Sequence, residues 1–433
     1  QWNEQLLVPM AENLQTVTSP MTNVALWHAA ATAAIAMQIS DAALLDHALH
    51  GPNGIRTTNA AGITADHIWF EGSLGYNQYV IEALSRLLVH ASLQGHANAF
   101  TREFDDARRL LLAPLDYRFD DGSLPSPGDA TASLMAVDQR SHTLLYRVVP
   151  SWYGARAAAN TTTWESLLDP PLAFAPAEPV MPPVASRNFS AIRMAVLRAG
   201  DWQAFVHYGQ TIANHAQEEA LTYELHHGRE RISTDSATVL YSSPYHQQYF
   251  RRAAAHNVPM VDGLGQQRWG QGEVTAWDAA QGRLEVSHPN YRNDVAVSRQ
   301  YQVTGSGFAE TSRITLKGTS PAARRLGGAF HTDCIIQPGS GLAAATTAPA
   351  LPATEATAYW RIDHQFQAGA TWSVRLSCGT RTYDMQVTSS AGTTQRVYLG
   401  QAPTRPLPSQ RGVVYFETES TTAAYTTEIR ALD

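Results

Sequence analysis

The spacing of apolar positions changes once along this 433-residue chain. In its first part they recur every three to four residues. Ala25, Leu26, Ala29, Ala30, Ala33 and Met37 form one stripe, and Val80, Ile81, Leu84, Leu87, Leu88 and Ala91 a second. Phe104, Ala107, Leu110 and Leu111 form a third. That period predicts amphipathic helices. Turn formers crowd residues 50–62 and 120–129, so both stretches are expected as loops. Later the period becomes two. Residues 191–198, 297–316, 357–378, 381–388 and 413–419 alternate and are rich in Thr, Val, Tyr and Trp. The second of these reads as two strands across a Gly305–Gly307 turn. Strands without intervening helices predict an antiparallel sandwich. Residues 169–184, dense in proline, predict a linker. The expected architecture is α + β in two domains: helical at 1–168, the linker at 169–184, and an antiparallel β-sandwich at 185–433. Residues 341–357, rich in Ala, Thr and Pro, are expected as a mobile loop.

Residues 205–262 stand out within the β region. Six histidines (His207, His215, His226, His227, His246 and His256) alternate there with Gln217, Glu218, Glu219 and Asp235. Leu221, Tyr223 and Leu225 share one face of a predicted half-buried strand, and Thr222, Glu224 and His226 the other. His215 and Gln217 share a face only if that strand starts early. A polar edge strand with solvated histidines accounts for the pattern as well as a site does.

Composition narrows the choices. A net charge of −7 and no basic run argue against a nucleic-acid partner. No apolar run is long enough for a membrane span. Lys317 is the sole lysine, and arginine recurs in pairs at 108–109, 251–252 and 324–325. Arginine's planar fork suits carboxylate or sulfate. Cys334 and Cys378 have no zinc-ligand spacing; they either pair or stay as buried thiols. Asn160 and Asn188 begin glycosylation-type tripeptides. The chain opens Gln1-Trp2-Asn3 without Met, which reads as a processed start or a fragment.

The motifs Asn23-x-x-x-Trp27-His28, Glu71-Gly-Ser-x-Gly-Tyr76-x-x-Tyr79, Gly200-Asp-Trp202, Asn214-His-x-Gln-x-Glu-Ala-Leu221-x-Tyr-Glu224, Asp235, Tyr241-Ser-Ser-Pro244 and Ala255-His-Asn-Val-Pro-x-Val-Asp-Gly263 follow in order. Together they resemble the heparinase II/III-like polysaccharide lyases. The resemblance spans residues 14–265. It implies an N-terminal (α/α) toroid followed by an antiparallel β-sandwich, with the active site between them. Since a toroid of about twelve helices of about 11–12 residues needs twice the length available before the linker, the toroid is expected to be incomplete here.

The resemblance implies an acidic polysaccharide substrate, cleaved at a uronate by β-elimination to leave an unsaturated end. Glycosaminoglycans such as heparan sulfate, chondroitin or hyaluronan are the expected class. Alginate or another polyuronate, a glycoside hydrolase, and a non-catalytic glycan-binding protein are the alternatives. A lyase must neutralise the carboxylate, remove the C5 proton and protonate the C4 oxygen. An amide, a histidine and a tyrosine suit those tasks. By resemblance Asn23 binds the carboxylate, His215 is base or carboxylate partner, and Tyr76 is the acid and a second candidate base. His28, Glu71, Tyr79, Tyr249 and Arg252 are expected to bind substrate.

Members of the family often hold a structural metal, usually zinc, beside the catalytic histidine. Asp235 and His256 match its ligands, but Gln217 replaces a histidine. An amide oxygen is a poor zinc ligand. Gln217, Asp235 and His256 therefore hold one divalent cation (zinc, manganese or calcium) or form a metal-free cluster. No organic cofactor is expected, and a secreted or periplasmic location is.

Overall fold

The computed structural model describes residues 1–16, 22–130, 183–267, 269–345, 351–390 and 394–432. The expected linker at 169–184 falls outside them, save Pro183 and Val184, and so does Asn160. The chain forms two compact units. One is built on residues 1–116. The other takes residues 117–130 as well as the chain from Val184 onward, so the end of the expected helical domain travels with the strands.

The first unit holds helices α1 (Val8–Thr16), α2 (Asn23–Ile39), α3 (Ala42–His50), α4 (Ile55–Gly62), α5 (Leu74–Leu93) and α6 (Thr101–Leu112). α2 starts where Thr22 Oγ1 accepts from the Ala25 amide, 3.4 Å, an N-cap. It ends at Ser40 in left-handed backbone, φ 58°. Leu26, Ala33 and Ala36 of α2 are buried, as are Leu84, Leu87 and Leu88 of α5, which packs beside it. The stretch expected as a loop at 50–62 contains α4. Its apolar signal is weak, and long-range polar contacts hold it. Arg56 Nε donates to the buried Glu103, 2.7 Å, and Asn59 Nδ2 to Asp106, 2.9 Å.

The second unit holds nineteen strands among the described residues. The first six are β1 (Arg187–Phe189), β2 (Met194–Ala199), β3 (Trp202–His207), β4 (Thr222–His227), β5 (Glu230–Ser233) and β6 (Pro259–Val261). β7 (Glu273–Asp278), β8 (Arg283–Arg292), β9 (Val295–Thr304), β10 (Gly307–Leu316), β11 (Arg324–Thr332) and β12 (Ile335–Pro338) follow. The last are β13 (Leu342–Ala344), β14 (Arg361–Ala368), β15 (Thr371–Cys378), β16 (Arg381–Ser389), β17 (Gln395–Pro403), β18 (Gln410–Ser420) and β19 (Thr422–Ala431). β1 to β5 make one sheet in sequence order. An eight-stranded sheet runs β12-β15-β16-β19-β10-β9-β8-β7, and a six-stranded sheet β13-β14-β17-β18-β11-β6. β9 and β10 pair antiparallel across Gly305, as the alternation predicts. The expected mobile loop carries β13 within its described part.

One apolar core joins all three sheets, through residues such as Val206, Tyr223, Leu225, Tyr301, Trp372 and Phe416. Burying a side chain such as Leu225 contributes about 1.5–3 kcal/mol. Cys334 and Cys378 are disulfide-bonded within it.

β4 departs from the expected half-buried strand: both of its faces are covered. Tyr223 and Leu225 enter the core, while Glu224 and His226 lie beneath residues 117–130 and Thr222 Oγ1 accepts from the Asn257 amide, 3.2 Å. The His226 ring stacks on Phe119, centroids 3.6 Å apart and planes within 4°. Glu224 Oε1 accepts from the Ser126 amide, 2.7 Å. Gln203 Nε2 donates to the Arg118 carbonyl, 2.8 Å, and Tyr117 stacks on Phe189. Burial pushes Glu224 up to about 8 and His226 down to about 3.

Candidate active site

The loop joining β3 to β4 carries three of the second unit's candidate residues, His215, Gln217 and Glu219. Because β4 begins only at Thr222, His215 and Gln217 sit on this loop and not on a strand. His215 is in left-handed backbone, φ 57°, and Leu221 likewise, φ 74°. Non-glycine residues in that region carry strain that the surroundings must hold. The His215 carbonyl accepts from the Asp129 amide, 3.0 Å.

Three side chains meet around His215. Its Nδ1 lies 3.3 Å from Asp129 Oδ2 and 3.0 Å from the Tyr241 hydroxyl, which donates to the same carboxylate oxygen, 3.1 Å. The other oxygen, Oδ1, accepts from Gln217 Nε2, 2.9 Å. Burial pushes the Asp129 carboxyl upward, but bonds from His215 and Gln217 outweigh it, and its pKa ends below the ordinary value. Asp129 is thus an ionised, buried acceptor that fixes the proton of His215 on Nδ1.

A second group lies beside the first. Ligand-type atoms of Glu219, Asp235 and His256 come within 4.8 Å of one another. Glu219 Oε1 accepts from the Gly128 amide, 2.7 Å, and lies 3.1 Å from His207 Nδ1. Glu219 Oε2 is buried with no hydrogen-bond partner among the described residues, and so is Gln217 Oε1. His256 Nδ1 is 2.7 Å from Asp235 Oδ2, and Nε2 donates to the Phe250 carbonyl, 3.1 Å. Burial pushes His256 down, but the Asp235 carboxylate more than reverses it, and the ring ends above its ordinary value. Gln217 has its amide nitrogen on Asp129, and Glu219 is the residue the geometry brings to Asp235 and His256.

In the first unit, the motifs of α2 and α5 come together. Asn23, the first residue of α2, donates from Nδ2 to Glu71 Oε2, 2.6 Å, and both are buried. Glu71 therefore orients Asn23. Tyr76 is part-buried in the first turn of α5. One turn on, Tyr79 is exposed and packs against Trp27, centroids 5.0 Å apart. His28 lines a cavity of about 210 Å³ with His47, Thr32 and Asn53.

One expected substrate contact is corrected by burial. Tyr249 is fully buried in an apolar cluster with Met260, Trp360 and Tyr415, so it cannot face a glycan. Arg252 stays 43% exposed at the surface, where Nη1 donates to Glu218 Oε1, 2.9 Å, and Nε to the Gln247 carbonyl, 2.8 Å. Asp129 and Tyr241 are the site residues that sequence reading missed. Tyr241 lies in a quoted motif, but Asp129 sits in a loop with only its turn formers to mark it.

Helices followed by antiparallel sheets, with a histidine–carboxylate cluster on a sheet loop, define the class of fold. Residues 181–430, more than half of the chain, match the family described as Heparinase II/III-like, C-terminal. The chain belongs to that family. Among solved structures it is similar to a heparinase III, at 14% identity and a TM-score of 0.69, over 98% of this chain and 61% of that one. It is also similar to a heparan sulfate lyase from Pedobacter heparinus, at 14% identity and a TM-score of 0.67, over 98% and 62%. These likenesses show the fold, and the chain spans less than two thirds of either structure. No curated protein sequence matches.

Proposed function

We propose that this chain is part of a polysaccharide lyase that cleaves uronate-containing glycosaminoglycans by β-elimination. The observation that carries the reading is the Asp129–His215–Tyr241 network: a histidine held in strained backbone, its Nδ1 committed to a buried carboxylate. Such a ring exchanges protons through Nε2, and the carboxylate stabilises the imidazolium that forms. In the proposed reaction Asn23 holds the uronate carboxylate and His215 or Tyr76 takes the C5 proton. Tyr76 returns a proton to the C4 oxygen as the C4–O bond breaks, and a C4–C5 double bond forms. The names of the similar structures favour heparan sulfate, with alginate and other polyuronates as the wider class.

A divalent cation fits Glu219, Asp235 and His256. The orphaned Glu219 oxygen is an acceptor in want of a partner, and with Nε2–H on a carbonyl, the His256 nitrogen a cation would take is Nδ1, in place of the proton now shared with Asp235. Two carboxylates favour manganese or calcium over zinc. Its chemistry there would be charge neutralisation beside the site. The disulfide supports a secreted or periplasmic location.

The test is a panel of heparan sulfate, chondroitin, hyaluronan and alginate incubated with the full-length protein and followed by the absorbance of unsaturated uronate. Unsaturated ends from at least one glycan, lost in Tyr76→Phe, are expected. Saturated non-reducing ends would assign a hydrolase, and no product from any glycan would overturn the lyase reading.

A further inference from the structure

His215 is in left-handed backbone, and the side chain of Arg251 reaches the carbonyls on either side of it. Arg251 follows the single turn His246–Phe250. Its Nε donates to the Ala216 carbonyl, 3.0 Å, and its Nη2 to the Ala213 carbonyl, 3.3 Å. These two carbonyls bracket His215. The third carbonyl of the turn, that of His215 itself, accepts from Asp129, and the Arg251 carbonyl accepts from the Glu218 amide, 3.0 Å. One residue thus grips the loop on both sides of the histidine with side chain and main chain. The guanidinium carbon lies 5.2 Å from the Trp269 ring centroid, which gives the planar group a flat support.

We propose that Arg251 is the positioning residue for His215: its fork holds the 213–216 turn so that Nδ1 meets Asp129 and Tyr241. Its remaining guanidinium nitrogen, Nη1, donates to Gln247 Oε1, 3.4 Å. The role needs a planar group with two N–H bonds in fixed register, which lysine lacks. The kinetic side of this proposal rests on the lyase reading, and the geometric side does not.

The test compares wild type with Arg251→Lys and, as a second variant, Trp269→Leu. Histidine ring nitrogens are labelled with 15N and the His215 resonances assigned through His215→Gln. Wild type is expected to show the Nδ1–H tautomer. Arg251→Lys is expected to mix tautomers and, since small misplacements of catalytic groups are expensive, to lower kcat at least about tenfold with KM within about threefold. Thermal unfolding should stay within a few degrees. Trp269→Leu should move the same readouts less. Unchanged His215 ring shifts in Arg251→Lys overturn the proposal, whatever happens to kcat or stability. If the wild-type protein acts on no glycan, the tautomer readout still decides the clamp, and that failure belongs to the lyase reading alone.

Discussion

Replacing Asp129 by Asn is the sharpest probe of the site. The substitution keeps the shape and removes one charge. It also creates a conflict that the aspartate avoids. Oδ1 accepts from Gln217 and Oδ2 faces His215 and Tyr241, so both positions require an acceptor. An asparagine has one acceptor. Turned one way, it presents N–H to the Gln217 amide nitrogen; turned the other, it presents N–H to His215 and forces the ring into the wrong tautomer. The electrostatic loss adds to this. At 3.3 Å an ion pair is worth about 5 kcal/mol at an effective dielectric of about 20. The retained hydrogen bond recovers part of it, so a loss of roughly 2–4 kcal/mol, or about 30- to 1,000-fold in kcat, is expected. The assay is the initial rate of unsaturated-uronate formation on the best glycan of the panel, at saturating substrate, with unfolding temperature as the control for folding. An Asp129→Asn protein that folds normally and keeps more than about a third of wild-type kcat would refute the assignment of His215 to the chemistry.

Three further outcomes are expected. Adding manganese or calcium should raise the unfolding temperature of wild type, by about 2.7 kcal/mol of linkage at a hundredfold excess over Kd, and Glu219→Gln should abolish that rise; an equal rise in both proteins removes Glu219 from the ligand set. Burial holds His226 down to about 3, so between about pH 6.5 and 3 the unfolded chain takes up a proton that the folded chain refuses, and stability falls by up to about 1.4 kcal/mol per pH unit. His226→Phe keeps the stack on Phe119 and should flatten that slope in denaturant unfolding at pH 7 and pH 5; equal slopes would show that the ring is not buried neutral. Tyr249→Phe should leave KM within about twofold, whereas Tyr79→Ala, which removes an exposed ring, should raise it about tenfold, as stacking on aromatic side chains is worth about 1 kcal/mol or more; the reverse ranking would contradict the placement of both rings.

What the sequence could and could not disclose follows from the range of the contacts involved. α2, α5 and α6 each bury a continuous stripe, and β9 and β10 alternate across a glycine turn, so local periodicity is enough for them. α4 is different: its register is set by Arg56 and Asn59 reaching partners 47 residues away, and no window along the chain sees that. The same blindness misplaced the polar face of β4. Thr222, Glu224 and His226 have the alternation of a solvated face, yet Phe119 and Ser126 cover the last two from about a hundred residues upstream, and the Asn257 amide bonds the first. The site repeats the pattern. His215, Gln217, Asp235 and His256 were visible because the residue types and order of the motifs carry them. Asp129 was not, since its partners lie 86 and 88 residues further along. Its presence changes the meaning of Gln217. As a substitute for a histidine ligand, an amide looks like a defect; with Asp129 beside it, the amide N–H is what holds the carboxylate's second oxygen, an N–H that a metal-bound imidazole would have to supply from its other nitrogen. The replacement therefore exchanges one donor for another at Asp129, while Glu219, Asp235 and His256 bring their ligand-type atoms within 4.8 Å of one another beside it.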